Sequence, residues 1–212
     1  MNSSRSKRNY ENLERRIFDG VGQYGIPQLQ PTQFKKCDFI GFNYAKSCKD
    51  RANKGVHFFV DDYQFNRLWT NIDGYLEMLS QFKSVMSPDF STYTDFPKAI
   101  QIYNHYRKHW VGAYLQEYGI DVISTISWST KESFEWCFDG EPQGGCVAVS
   151  SQGCIASKEK RKLFMDGYCE MVERLQPETI IFYGQVLDEC KGNIVRVRAF
   201  SERFNEVVCN GW

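Results

Sequence analysis

The chain has 212 residues, enough for one domain of α/β size, and its 42% hydrophobic and 16% aromatic content can fill a core, which excludes general disorder. No apolar run approaches the roughly 18 to 20 residues of a membrane-spanning helix, and Met1–Arg16 is polar and basic without an apolar core, so the chain reads as cytoplasmic and not secreted. Formal net charge is zero but unevenly spread: Met1–Lys54 carries 11 Lys and Arg against 5 Asp and Glu, and the remainder carries 15 against 21. Either the basic segment reaches phosphates of a nucleotide or nucleic acid, or it folds onto its own acidic body.

Residues 1–32 read as a basic flexible arm followed by a Gly- and Pro-rich loop, and residues 33–212 as a single α/β domain. Phe39-Ile40-Gly41-Phe42 offers a short strand. Five further apolar runs follow: Val56–Val60, Val85–Met86, Ile120–Ile126, Cys146–Val149 and Thr179–Phe182. Amphipathic stretches separate several of them, a rhythm that demands crossover connections and hence about six mainly parallel strands, in an open sheet or a partial barrel.

Asp73 is placed to cap a helix over Gly74–Phe82. Pro97 suits a first helical turn, with Ile100, Tyr103, Trp110 and Tyr114 forming one stripe before Gly119 ends the helix. Ser157 can cap another, with Phe164, Tyr168, Met171 and Leu175 on its buried face and Pro177 beyond its end. Asn193–Arg198 alternates as a half-exposed edge strand, and Phe200, Phe204, Val207 and Val208 suggest a C-terminal helix.

Each apolar run ends in polar or aromatic residues, and in parallel sheets that carboxyl rim is where ligands bind. Asp61 and Asp62 follow His57-Phe58-Phe59-Val60 and serve either as helix caps or as site carboxylates. Pro88 stiffens the loop that presents Asp89, whose role is catalytic carboxylate or Asx-turn. Asp61 with Asp89 would hold a divalent cation, the one cofactor the pattern suggests. Ser150, Ser151 and Gly153 form a small-residue turn ahead of a helix, suited to an anion or simply to a tight βα connection. Trp128, Tyr183 and Gln185 close two strands, as a stacking wall with polar contacts or as plugs of the sheet end.

His105 and His109 are spaced i, i+4, but the intervening Tyr106-Arg107-Lys108 makes that face read as solvated, which disfavours a metal site. The eight cysteines include no CxxC pair and read as reduced thiols; only Cys146 with Cys154 hints at a loop clamp.

The segments HFFVDDYQF, SPDFSTYTDFP, WVGAYLQEYGIDVISTISW, FEWCFDG, VAVSSQGC and PETIIFYG, spanning about His57 to Gly184, resemble the family called domain of unknown function 4417. The resemblance implies a phage or mobile-element setting in a bacterial host and carries no catalytic residues. The expected function is a phage protein whose rim pocket binds a phosphorylated or nucleotide-like ligand, with hydrolysis through a divalent metal as an extension. The rival expectation is a non-enzymatic interaction protein that redirects a host protein or a nucleic-acid machine.

Overall fold

The computed structural model describes residues 10–200 and 202. A two-residue hairpin, β1 (Gly20–Val21) with β2 (Ile26–Pro27), interrupts the segment read as a loop. The main sheet holds β3 (Asp38–Gly41), β4 (Lys54–His57), β5 (Ser84–Met86), β6 (Val122–Thr125), β7 (Cys146–Ser150), β8 (Thr179–Tyr183) and β9 (Ile194–Val197). These seven strands lie in sequence order and every pair is parallel. The helices are α1 (Phe42–Ala45), α2 (Asn66–Thr70), α3 (Asp73–Leu79), α4 (Lys98–Glu117) and α5 (Lys158–Leu175). The C-terminal helix expected beyond Phe200 lies, apart from Glu202, outside the described residues.

Apart from Ser150 and Thr179 at their ends, the β7 and β8 strands are apolar because both their faces are covered, as parallel strands require. Val147, Val149, Ile180 and Phe182 pack against Phe164, Tyr168, Met171 and Leu175 of α5, while Ala148, Ile181 and Tyr183 join a cluster running through Phe39, Val56, Val85 and Ile123. The sheet is strongly curled. Four strand spacings separate β4 from β8, roughly 19 Å in a flat sheet, yet the His57 and Phe59 rings lie 4.7 and 4.9 Å from the Tyr183 ring. Tyr44, past β3, and Phe200, past β9, approach to 6.2 Å, although the two edge strands share no ladder. The architecture is a nearly closed barrel.

Of three helical expectations, one holds and two are modified. Asp73 does not cap α3, whose start has no side-chain cap; its carboxylate instead binds Arg15 (2.7 Å) and accepts from Tyr114 Oη (2.8 Å). The α5 cap is as expected: Ser157 Oγ accepts from the Lys160 N–H at 3.2 Å. The α4 helix begins after Pro97 and Gly119 follows in the left-handed region (φ +73°), but its buried surface is far wider than one stripe. Trp110, Val111 and Leu115 are buried together with Asn104, His105, Lys108 and His109, whereas Ile100 is exposed.

Residues near the N-terminus lie against this body. Arg15 pairs with Asp73 and Arg16 with Glu117 (2.9 Å), and Trp110 Nε1 donates to the Arg16 carbonyl (2.9 Å). These exposed pairs contribute little individually, about 0 to 1 kcal/mol each, but they do link the basic segment to acidic groups of the body.

Candidate functional site at the carboxyl rim

A cavity of about 1130 Å³ opens where the strands of the curled sheet end. Of the residues singled out from the sequence, Asp61, Asp89, Trp128, Ser150, Gly153 and Tyr183 line it. Asp62, Ser151 and Gln185 do not. Asp62 is neither a cap nor a cavity residue: its carboxylate accepts from Ser91 N–H (3.1 Å) and Ser91 Oγ (2.8 Å), tying the loop after β4 to the loop after β5. Ser151 Oγ donates to the Gln185 carbonyl (2.8 Å), so this pair closes the β7 and β8 loops on each other while the Gln185 side chain stays exposed. Ser150 Oγ accepts from the Gln152 N–H (3.2 Å), a turn contact made at the cavity wall.

Asp89 is the electrostatic centre of the site. Pro88 holds its backbone, and the Phe90 N–H returns to the Pro88 carbonyl at 3.0 Å. Its side chain makes no hydrogen bond among the described residues. Burial pushes its carboxyl up to about 7; the nearby Asp62 charge adds to the rise and the Lys108 ammonium opposes it. Asp61 sits exposed on the lip, where Gln64 Nε2 approaches its carboxylate at 3.5 Å. Asp61 and Asp89 belong to no group of three converging metal-ligating side chains among the described residues.

The remaining walls combine aromatic and charged groups. His57, Phe59 and Tyr183 form one packed unit, in which His57 Nδ1 accepts from the Phe59 N–H (3.2 Å) and Tyr183 Oη accepts from the Phe200 N–H (3.1 Å). Tyr183 is thus a buried plug that also lines the cavity. Glu159 and Lys160 from the first turn of α5, and Arg198 just past β9, bring charge to the mouth. Sequence reasoning passed over His57, Tyr93, Lys160 and Arg198 as site residues. For His57 a signal existed: residues 57, 59 and 61 alternate onto one face, and all three line the cavity. Arg198 gave none, because its position depends on β9 closing the curl.

The face of α4 expected to be solvated is the most polar part of the interior. Lys108 Nζ donates to Glu141 Oε1 (2.6 Å) and to the Thr125 carbonyl (2.8 Å); Ser124 Oγ donates to Glu141 Oε2. His109 Nε2 meets Glu141 Oε1 at 3.0 Å and its Nδ1 meets the Pro27 carbonyl at 3.0 Å, while His105 Nε2 meets the Asp139 carbonyl at 2.9 Å. Burial alone would raise Glu141, but Lys108 and His109 hold its carboxyl below the ordinary range. Burial depresses both imidazoles, His105 further lowered by the Lys108 and His109 charges and His109 partly restored by Glu141. His105, His109 and Glu141 have ligand atoms within 4.8 Å of one another. Lys108 already neutralises the carboxylate, however, and a divalent ion added there would leave a buried excess of positive charge. The cluster is a buried ion pair with two neutral rings packed on it.

All described cysteines are free, and burial pushes the thiols of Cys146 and Cys154 up to about 12 and about 11.

The family model described as domain of unknown function (DUF4417) matches residues 18–201. The chain belongs to this family. Among its relatives, the "Gene 1 protein" of Mycobacterium phage L5 is 40% identical over 174 residues, covering 81% of this chain and 76% of the relative. The "Gene 1 protein" of Mycobacterium phage D29 is 34% identical over 203 residues, covering 93% and 75%. The chain is therefore similar to phage proteins, as the motif series implied. No solved structure gives a significant match to this DUF4417 chain. No helix among the described residues is long and apolar enough to cross a membrane.

Proposed function

We propose that the rim cavity binds a phosphorylated, nucleotide-like ligand and that Asp89 is the acid–base group for its hydrolysis. One observation carries this reading: a half-buried carboxyl with a pKa of about 7 lines a cavity of about 1130 Å³ whose mouth also presents Lys160 and Arg198. A strongly perturbed carboxyl in a cleft is a mark of functional sites. The first turn of α5 adds the positive end of an 18-residue helix on the same side as Lys160. A carboxyl that keeps its proton to about pH 7 is a poor cation ligand and a good proton carrier. Asp61, exposed on the lip, is the carboxylate left to a divalent cation. In this scheme ionised Asp89 accepts the proton of the attacking water and returns it to the leaving oxygen.

The test pairs Asp89→Asn with phosphate release from nucleoside mono-, di- and triphosphates, with and without Mg²⁺. The expected result is a fall of roughly 100-fold or more in release with the fold intact. The sign of the stability change is fixed. The folded pKa of about 7 lies above the unfolded value of about 3.9, so the stability Asp89 contributes is full below pH 4 and is lost as pH rises to 7. At pH 8 the Asn variant should be at least as stable as the parent, by up to about 1 kcal/mol after solvent screening. A large loss of melting temperature at pH 8 would instead make Asp89 a turn residue. The second reading, an interaction protein without catalysis, draws on Tyr63 and Tyr93, exposed by 79% and 60% in loops of the same rim. It is favoured if none of these nucleotides shifts the melting temperature.

A further inference from the structure

Trp128, beyond the end of β6, is seated on α5 in a way that only glycine allows. A Cβ placed on Gly167 would fall 2.3 Å from Trp128 Nε1, 2.4 Å from Cε2 and 2.5 Å from Cδ1. The indole therefore lies directly on the helix backbone, flanked by the Phe164 ring at 5.4 Å. Trp128 is nevertheless half-buried and lines the cavity.

From this seat we propose that Trp128 is a stacking platform for a nucleobase, which narrows the ligand from phosphorylated compounds in general to nucleotides, and that Gly167 is its positioning residue. The inference rests on the reading that the cavity takes a phosphorylated ligand. A flat ring gains from a rigid aromatic partner whatever its base identity, because every base has a π-face. A ring seated on Gly167 and Phe164 of one helix loses little conformational freedom when a ligand stacks on it. Lys160 precedes Gly167 by seven residues on the same helix, about 10 Å along its axis, so base and phosphate would be held by one rigid element.

The experiment uses the full chain and three probes: nucleoside 5′-monophosphates, ribose 5-phosphate and inorganic phosphate, each titrated by calorimetry. Nucleotides should bind at least tenfold more tightly than ribose 5-phosphate. Trp128→Leu and Gly167→Ala should erase that difference while leaving ribose 5-phosphate affinity unchanged, and Trp128→Phe should restore part of it. Quenching of tryptophan fluorescence by the nucleotide should disappear in Trp128→Phe. Equal binding of nucleotides and ribose 5-phosphate by the parent chain overturns the stacking inference and leaves the phosphate reading standing. Absence of binding by all three probes overturns both. Wild-type discrimination in a folded Gly167→Ala protein removes Gly167 from the proposal, and should that variant not fold, Trp128→Leu alone decides the platform.

Discussion

Lys108 and Glu141 are both essentially inaccessible to solvent and meet at 2.6 Å. Two desolvated charges are stable together only because Thr125, Ser124 and His109 satisfy their remaining hydrogen-bonding capacity. Removing one partner strands the other. Lys108→Met should cost about 3 to 5 kcal/mol in urea unfolding, and the double change with Glu141→Gln should recover most of it. Because the Glu141 carboxyl is held below its ordinary range, its share of stability is present at neutral pH and is lost as acid protonates it. Lys108 also opposes the rise of Asp89, so the buried pair and the cavity carboxyl belong to one electrostatic neighbourhood although they lie on different elements.

At the scale of elements, α5 contributes to both the core and the site. Its inner face buries Phe164, Tyr168, Met171 and Leu175, each such side chain worth roughly 1.5 to 3 kcal/mol when fully removed from water. Its first turn brings Lys160 to the cavity and its middle seats Trp128. The helix starts where it does because Ser157 supplies an acceptor to an otherwise unsatisfied amide. Ser157→Ala should lower stability by about 1 kcal/mol in a denaturant titration and fray the turn carrying Lys160, weakening phosphate binding more than nucleobase discrimination. The α4 helix differs in kind: its polar residues are buried against Glu141 and backbone carbonyls, so amphipathicity alone misreads its exposure.

For the whole molecule, the curl of the sheet decides what meets what. Tyr183 of β8 fills the space against His57 and Phe59 across the barrel, with its hydroxyl held by the Phe200 N–H. Tyr183→Ala would remove that cross-barrel contact, and a cost of about 3 to 5 kcal/mol is expected from the lost packing and the hole left behind. The same change should open the cavity floor, measurable as increased binding of a polarity-sensitive dye, whereas Phe200→Ala should leave the core intact.

The parallel direction of the strands was legible in the sequence; their order across the sheet came with the structure. Apolar runs too short for helices, separated by crossover-length segments, admit few topologies besides a parallel sheet. Strand-end position also brought Asp61, Asp89, Trp128, Ser150, Gly153 and Tyr183 to the rim, where they line one cavity. What alternation could not show was distance across the barrel, or which polar side chains a neighbouring loop would claim: Asp62 went to Ser91 and Ser151 to the Gln185 carbonyl. Local pattern likewise gave no warning that Glu141 would meet α4, since the partners are 33 residues apart in sequence. Backbone propensity and periodicity act over a few residues and dictate elements. The ionisation of Asp89, the seat of Trp128 and the burial of Lys108 follow from contacts between remote segments, which only the closed tertiary structure brings together.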